Sequence, residues 1–116
     1  MTDEVEGMGP MGRGIVEVFV FKLREGVGEE HFVQAAARSA KFVAGLSGLI
    51  DRELLRPAED GTWVDVVHWE SMEAVTKAAE AVLSSPDCQP FLSATDESQT
   101  QMLHLTAVDL AKAAPA

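Results

Sequence analysis

The chain has 116 residues, which bounds it to one domain, and 47% of them are hydrophobic, enough to bury a core. Acidic residues outnumber basic ones 19 to 9, giving a formal charge of −10 that repels phosphate backbones and anionic lipid. The basic residues are scattered, with no aromatic-plus-basic stripe, and no apolar run is long enough to span a bilayer, so neither nucleic acid nor membrane is an expected partner.

Residues 1–13 are acidic and Gly-rich and read as a flexible arm without the apolar stretch of a secretory signal. Cys88 stands alone, which excludes an internal disulfide, and a cytoplasmic setting is the expectation. "GIVEVFVFKLR" (14–24) predicts a strand with Ile15, Glu17, Phe19 and Phe21 on one face and Val16, Val18 and Val20 on the other. "EEHFVQAAARSAKFVAGLSG" (29–48) predicts a helix whose stripe runs Phe32, Ala35, Ala36, Ser39, Phe42, Val43, with Glu29 and Glu30 at its positive end.

"LIDRELLR" (49–56), the turn "PAEDG" and "TWVDVVHW" (62–69) predict a hairpin. Ser71 is placed to cap a second helix with Val75, Ala78, Ala79, Val82 and Leu83 on its buried stripe. "CQPFLS" predicts a short turn carrying Phe91 and Leu92 inward, "TQMLHLTAV" (100–108) a last strand, and 109–116 a frayed tail.

The order β-α-β-β-α-β predicts an α+β, ferredoxin-like sheet over 14–108 with two helices on one face. The face left open is expected to carry Ile15, Phe19, Phe21, Trp63, Val67 and Trp69. Such an apolar surface exceeds what a monomer tolerates, so a homodimer packed sheet to sheet is expected.

The segments "FKLREGVGEEHF", "GLIDRELLRPAEDGTWVDVVHWESMEAV" and "MLHL" resemble the dimeric α/β-barrel superfamily, in its antibiotic-biosynthesis-monooxygenase-like branch, over roughly residues 14–108. The resemblance implies two ferredoxin-like subunits closing into a barrel, each with a pocket against its sheet. It also implies a monooxygenase-like activity without a cofactor on a small aromatic or polyketide-like molecule, with polar residues and a tryptophan orienting the substrate. The superfamily also holds haem-degrading and other members, and this chain departs from both known chemistries: it contains no Asn and no Tyr.

Four charged or titratable residues sit in phase with apolar neighbours on predicted strands. They are Glu17, Arg52, Asp65 and His104. An ionised carboxylate enters an apolar strand only with a partner. If all four share a face, they make a polar pocket walled by Trp63 and Trp69, with Phe19 and Met102 nearby. His104 is then the candidate base, working beside Asp65, and Arg52 the oxyanion holder. Glu17, Phe19, Trp63, Trp69 and Met102 are the candidate substrate contacts. The competing reading makes Glu17, Arg52 and Asp65 an ion-pair ladder at the dimer seam, and the protein a non-catalytic binding or structural dimer. His68 falls in the opposite phase and reads as an edge residue. Three histidines without metal-ligand spacing give no metal signature, and Cys88 has no base partner in sequence.

Overall fold

The computed structural model describes residues 14–113 and Pro115. The arm expected at 1–13 lies outside the described residues. In chain order the elements are β1 (Ile15–Phe21), α1 (Glu29–Ala44), β2 (Leu49–Leu55), β3 (Trp63–Trp69), α2 (Met72–Ser84), α3 (Gln89–Ser93), a 3-10 turn (Glu97–Gln99), β4 (Gln101–Leu105) and α4 (Leu110–Ala113). The strands form one sheet in the order β2-β3-β1-β4, with every neighbouring pair antiparallel. This is the ferredoxin-like arrangement, and the helices pack on one face of it. Among the described residues no helix is long and apolar enough to cross a membrane.

Local chemistry sets the boundaries. Ser71 accepts the amide of Ala74 at 3.1 Å and caps α2. The exit from α1 runs through Gly48 at φ +88°, and a Cβ there would lie 2.4 Å from that of Ala74. Glycine therefore serves both the backbone angle and the close approach of α2. Asp96 caps the 3-10 turn, accepting from the amide and hydroxyl of Ser98 and the side chain of Gln99, and these bonds hold its carboxyl below the usual range. The last strand, expected over 100–108, spans Gln101–Leu105 and so ends three residues early.

Strand β2 contains an irregularity. Leu49 pairs with Trp69, but the next paired residue is Asp51, opposite His68, so Ile50 is an extra residue. Beyond it Arg52 sits opposite Val67 and Leu54 opposite Asp65.

The helices cover the face expected to be open. Ile15, Glu17, Phe19 and Phe21 on β1, and Trp63, Asp65, Val67 and Trp69 on β3, lie directly across from one another on the helix side. Phe21 and Phe32 are fully buried, and Trp63 and Trp69 nearly so. The reason is size complementarity. The buried stripes of α1 and α2 are built largely from Ala35, Ala36, Ser39, Ala74 and Ala78, and only large side chains from the sheet can fill the space above such small residues. The open face is aliphatic instead: Val16, Val18 and Val20 on β1, Val64 and Val66 on β3, and Leu103 and Leu105 on β4.

The core divides into two parts. One gathers Phe21, Phe32, Trp63 and Phe91, with Phe32 ring centroids 5.6, 4.9 and 5.2 Å from those of Phe21, Trp63 and Phe91. The other gathers Val43, Val67, Trp69, Val75 and Cys88. The space between sheet and helices is not completely filled.

Candidate active site

A cavity of about 320 Å³ lies between the sheet and the helices. The sheet supplies Glu17, Phe19, Asp65 and Trp69, α2 supplies Ala78 and Val82, and the α3 region supplies Cys88 and Phe91. Leu83 and Met102 line it while half or more exposed, so it opens between the C-terminal end of α2 and β4. Most of its surface is apolar, and its polar groups fall into two sets.

The first set is centred on Arg52. Its Nε donates to Asp65 Oδ1 at 3.0 Å and its Nη2 to Asp65 Oδ2 at 2.9 Å, a bidentate pair in a site where Asp65 is 5% exposed. Its Nη1 donates to Ser39 Oγ at 3.3 Å, and that hydroxyl donates to the Ala36 carbonyl at 2.7 Å. The guanidinium carbon stands 5.2 Å from the Phe91 ring centroid, a cation–π distance. β2, β3 and α1 are thus tied at one buried point. One N–H on each terminal nitrogen is left over.

The second set runs across β3, β1 and β4. Trp69 Nε1 donates to Glu17 Oε1 at 3.0 Å, and His104 Nε2 lies 3.0 Å from Glu17 Oε2. Antiparallel register explains the meeting, since Glu17 sits directly opposite both Val67 and His104. An indole N–H can only donate and a carboxylate can only accept, so with Glu17 ionised the His104 proton in this contact is on Nε2.

Glu17, Arg52, Asp65 and His104 therefore share one sheet face, but in two separate pairs. Glu17 takes no part in the Arg52–Asp65 pair, and both pairs face the helices and not the open side of the sheet. Phe19, Trp69 and Met102 line the cavity, whereas Trp63 is held in the aromatic cluster and His104 lies outside the lining. Ser39, Cys88 and Leu83 join the site without having been singled out for it. Ser39 and Leu83 belonged to helix stripes, and Cys88 gave no chemical signal of its own. Among the described residues no three His, Cys, Asp or Glu side chains are grouped to hold a metal ion.

A four-stranded antiparallel sheet with helices on one face defines a ferredoxin-like α+β protein, here with a cavity between the two layers. The sequence profile of the antibiotic biosynthesis monooxygenase family matches residues 14–91, and the chain belongs to that family. Solved structures agree on the fold. SnoaB, a cofactor-independent oxygenase from Streptomyces nogalater, is 20% identical with a TM-score of 0.67, covering 84% of this chain and 95% of that one. A putative antibiotic biosynthesis monooxygenase from Bordetella bronchiseptica is 17% identical with a TM-score of 0.68, covering 83% and 99%. A MhuD mutant bound to manganese protoporphyrin IX is 25% identical with a TM-score of 0.62, covering 81% and 94%. No curated protein matches the chain.

Proposed function

We propose that the protein binds a small aromatic or polyketide-like molecule in the cavity and oxidises it with dioxygen without a cofactor. The observation that carries this reading is the cavity itself: about 320 Å³, walled by apolar side chains, with charged side chains confined to the sheet side. Its size suits a few fused rings, and Trp69 and Phe19 offer flat faces against which they can stack. The description of SnoaB as a cofactor-independent oxygenase supports the same chemistry. In such a reaction the ionised substrate reduces dioxygen directly. One oxygen atom enters a ring carbon as a carbonyl, the other leaves as water, and the substrate methylene supplies the electrons.

Oxygen uptake tests it. With 1,8-dihydroxyanthrone as substrate, the protein is expected to consume oxygen at least ~10²-fold faster than the uncatalysed background, in line with the contribution of one positioned acid–base group. A rate equal to background would leave a binding module in its place. That second reading has its own support. Arg52, the oxyanion holder suggested by the sequence, already spends its bidentate face on Asp65.

The working unit in this proposal is a homodimer. The open sheet face exposes a continuous aliphatic surface, and His68 Nδ1 on that face is buried without a hydrogen-bond partner among the described residues. A second copy packed sheet to sheet would cover the aliphatic surface. Sedimentation at micromolar concentration is expected to give a dimer; a monomer there would remove this part of the proposal.

A further inference from the structure

We propose that Glu17, and not His104, is the proton acceptor of the cavity, and that it takes its proton from a phenolic or enolic hydroxyl of the bound ligand. This rests on the reading that the cavity holds a ligand, and it names the group that ligand must present. Three observations carry it.

First, two carboxylates line the cavity, and only one is available. Asp65 has each oxygen engaged by the Arg52 guanidinium. Protonating Asp65 would leave the Arg52 guanidinium buried with no counter-charge, at a penalty the cavity does not repay. Glu17 is held by two single hydrogen bonds, one to each oxygen, from Trp69 and His104. A carboxylate oxygen offers two lone pairs, so each Glu17 oxygen retains one for a ligand.

Second, His104 stands on the far side of Glu17 from the cavity. It contributes no lining surface, its side chain is one-third exposed, and the nitrogen it turns inward is the one already engaged by Glu17. Its place is that of an orienting group: with Trp69 it clamps the carboxylate from the opposite oxygen. Trp69 is nearly buried and cannot rotate away without opening the core, so the carboxylate plane is fixed before any ligand arrives.

Third, the charge of the cavity selects the ligand. The Arg52–Asp65 pair is internally neutral, which leaves Glu17 as the lining carboxylate with no cationic partner among the lining residues. A ligand carrying its own carboxylate or phosphate would meet that charge in an apolar enclosure and be rejected. A neutral ligand with a hydroxyl donor at its edge is accepted. The step is a simple transfer: the ligand O–H bond breaks, the proton joins a Glu17 oxygen, and the electron pair stays on the ligand oxygen as a phenolate or enolate. Glu17 then returns the proton to water at the open end of the cavity.

The test mixes the full-length protein with 1,8-dihydroxyanthrone under nitrogen, so that ionisation is followed without oxidation. Binding is read from tryptophan fluorescence quenching and ionisation from the long-wavelength absorption of the anthrone anion. The wild type is expected to bind the probe and form its anion. Glu17→Gln keeps the shape of the side chain and an oxygen for the Trp69 N–H, while its NH2 meets His104 in the other imidazole tautomer; it is expected to bind within tenfold of wild type while anion formation slows roughly 10²-fold. Glu17→Asp keeps a carboxylate with a shorter reach; it folds under milder demands and is expected to fall between the two. His104→Ala is expected to slow ionisation less than Glu17→Gln does. The proposal is overturned if Glu17→Gln ionises the probe as fast as wild type, if His104→Ala is the slower variant, or if the probe binds only in its neutral form. Absence of binding would overturn the cavity reading and this one together. Anion formation without oxygen uptake in air would overturn the oxygenase reading and leave Glu17 as the acceptor.

Discussion

Asp65→Ala is expected to destabilise the protein by about 3–5 kcal/mol, because it leaves the Arg52 guanidinium buried with no counter-charge. Arg52 and Asp65 side chains are only 15% and 7% exposed, so solvent screens little of their interaction. For a chain of this length that loss lowers the melting temperature by roughly 12–20 °C, since unfolding entropy scales with residue number. Ser39 cannot compensate: its hydroxyl already receives one Arg52 N–H and donates to the backbone of α1. The informative control is the double replacement Arg52→Met with Asp65→Leu. It removes both charges, retains comparable volume, and is expected to recover most of the stability, since an apolar pair often equals or exceeds a buried ion pair. Urea unfolding of the wild type and the two variants distinguishes the cases. A single-mutant loss below ~1 kcal/mol would mean that the pair behaves like a surface salt bridge.

Phe32→Ala is expected to lose a similar amount, about 3–5 kcal/mol, through a different mechanism. Phe32 is fully buried and contacts aromatic rings contributed by β1, β3 and α3. Truncation opens a void that rings held by three separate elements cannot collapse to fill. The effect should reach the cavity as well, because α3 carries both Phe91, which Phe32 supports, and the turn that brings Cys88 to the cavity wall. Calorimetry is expected to show the stability loss, and titration with 1,8-dihydroxyanthrone a weaker affinity for the folded variant. Loss of stability with unchanged affinity would show that the aromatic cluster and the cavity are mechanically independent.

Strand and helix positions were legible because period-two and period-three-to-four patterns are strong in this chain. "WVDVVHW" is rich in β-branched and aromatic residues, and the observed burial alternates along it. The grouping of Glu17, Arg52, Asp65 and His104 on one face followed from the same periodicity. What the pattern concealed was which face the helices cover. On β1 both faces are apolar, valines on one side and Ile15, Phe19 and Phe21 on the other, so alternation alone gives no preference. The deciding information lay in another part of the chain, in the alanine-rich stripes of α1 and α2. Small residues on the helices demand large ones from the sheet, and only the Phe and Trp face provides them. The pairing within the polar group was equally hidden. Whether Glu17 or Asp65 takes Arg52 depends on which strand neighbours which, and β2 borders β3, not β1.

The extra residue in β2 decides more than local regularity. On an unbroken strand Leu49 and Arg52 have opposite parity, so one of them would have to point away from the helices. Insertion of Ile50 changes the parity midway, and both side chains turn inward: Leu49 into the core beside Trp69, Arg52 onto Asp65. Without the bulge this sequence could anchor its hydrophobic interior or place a cation beneath the cavity, but not both. A single bulged position thus separates the strand's two duties, one half holding the fold and the other shaping the cavity.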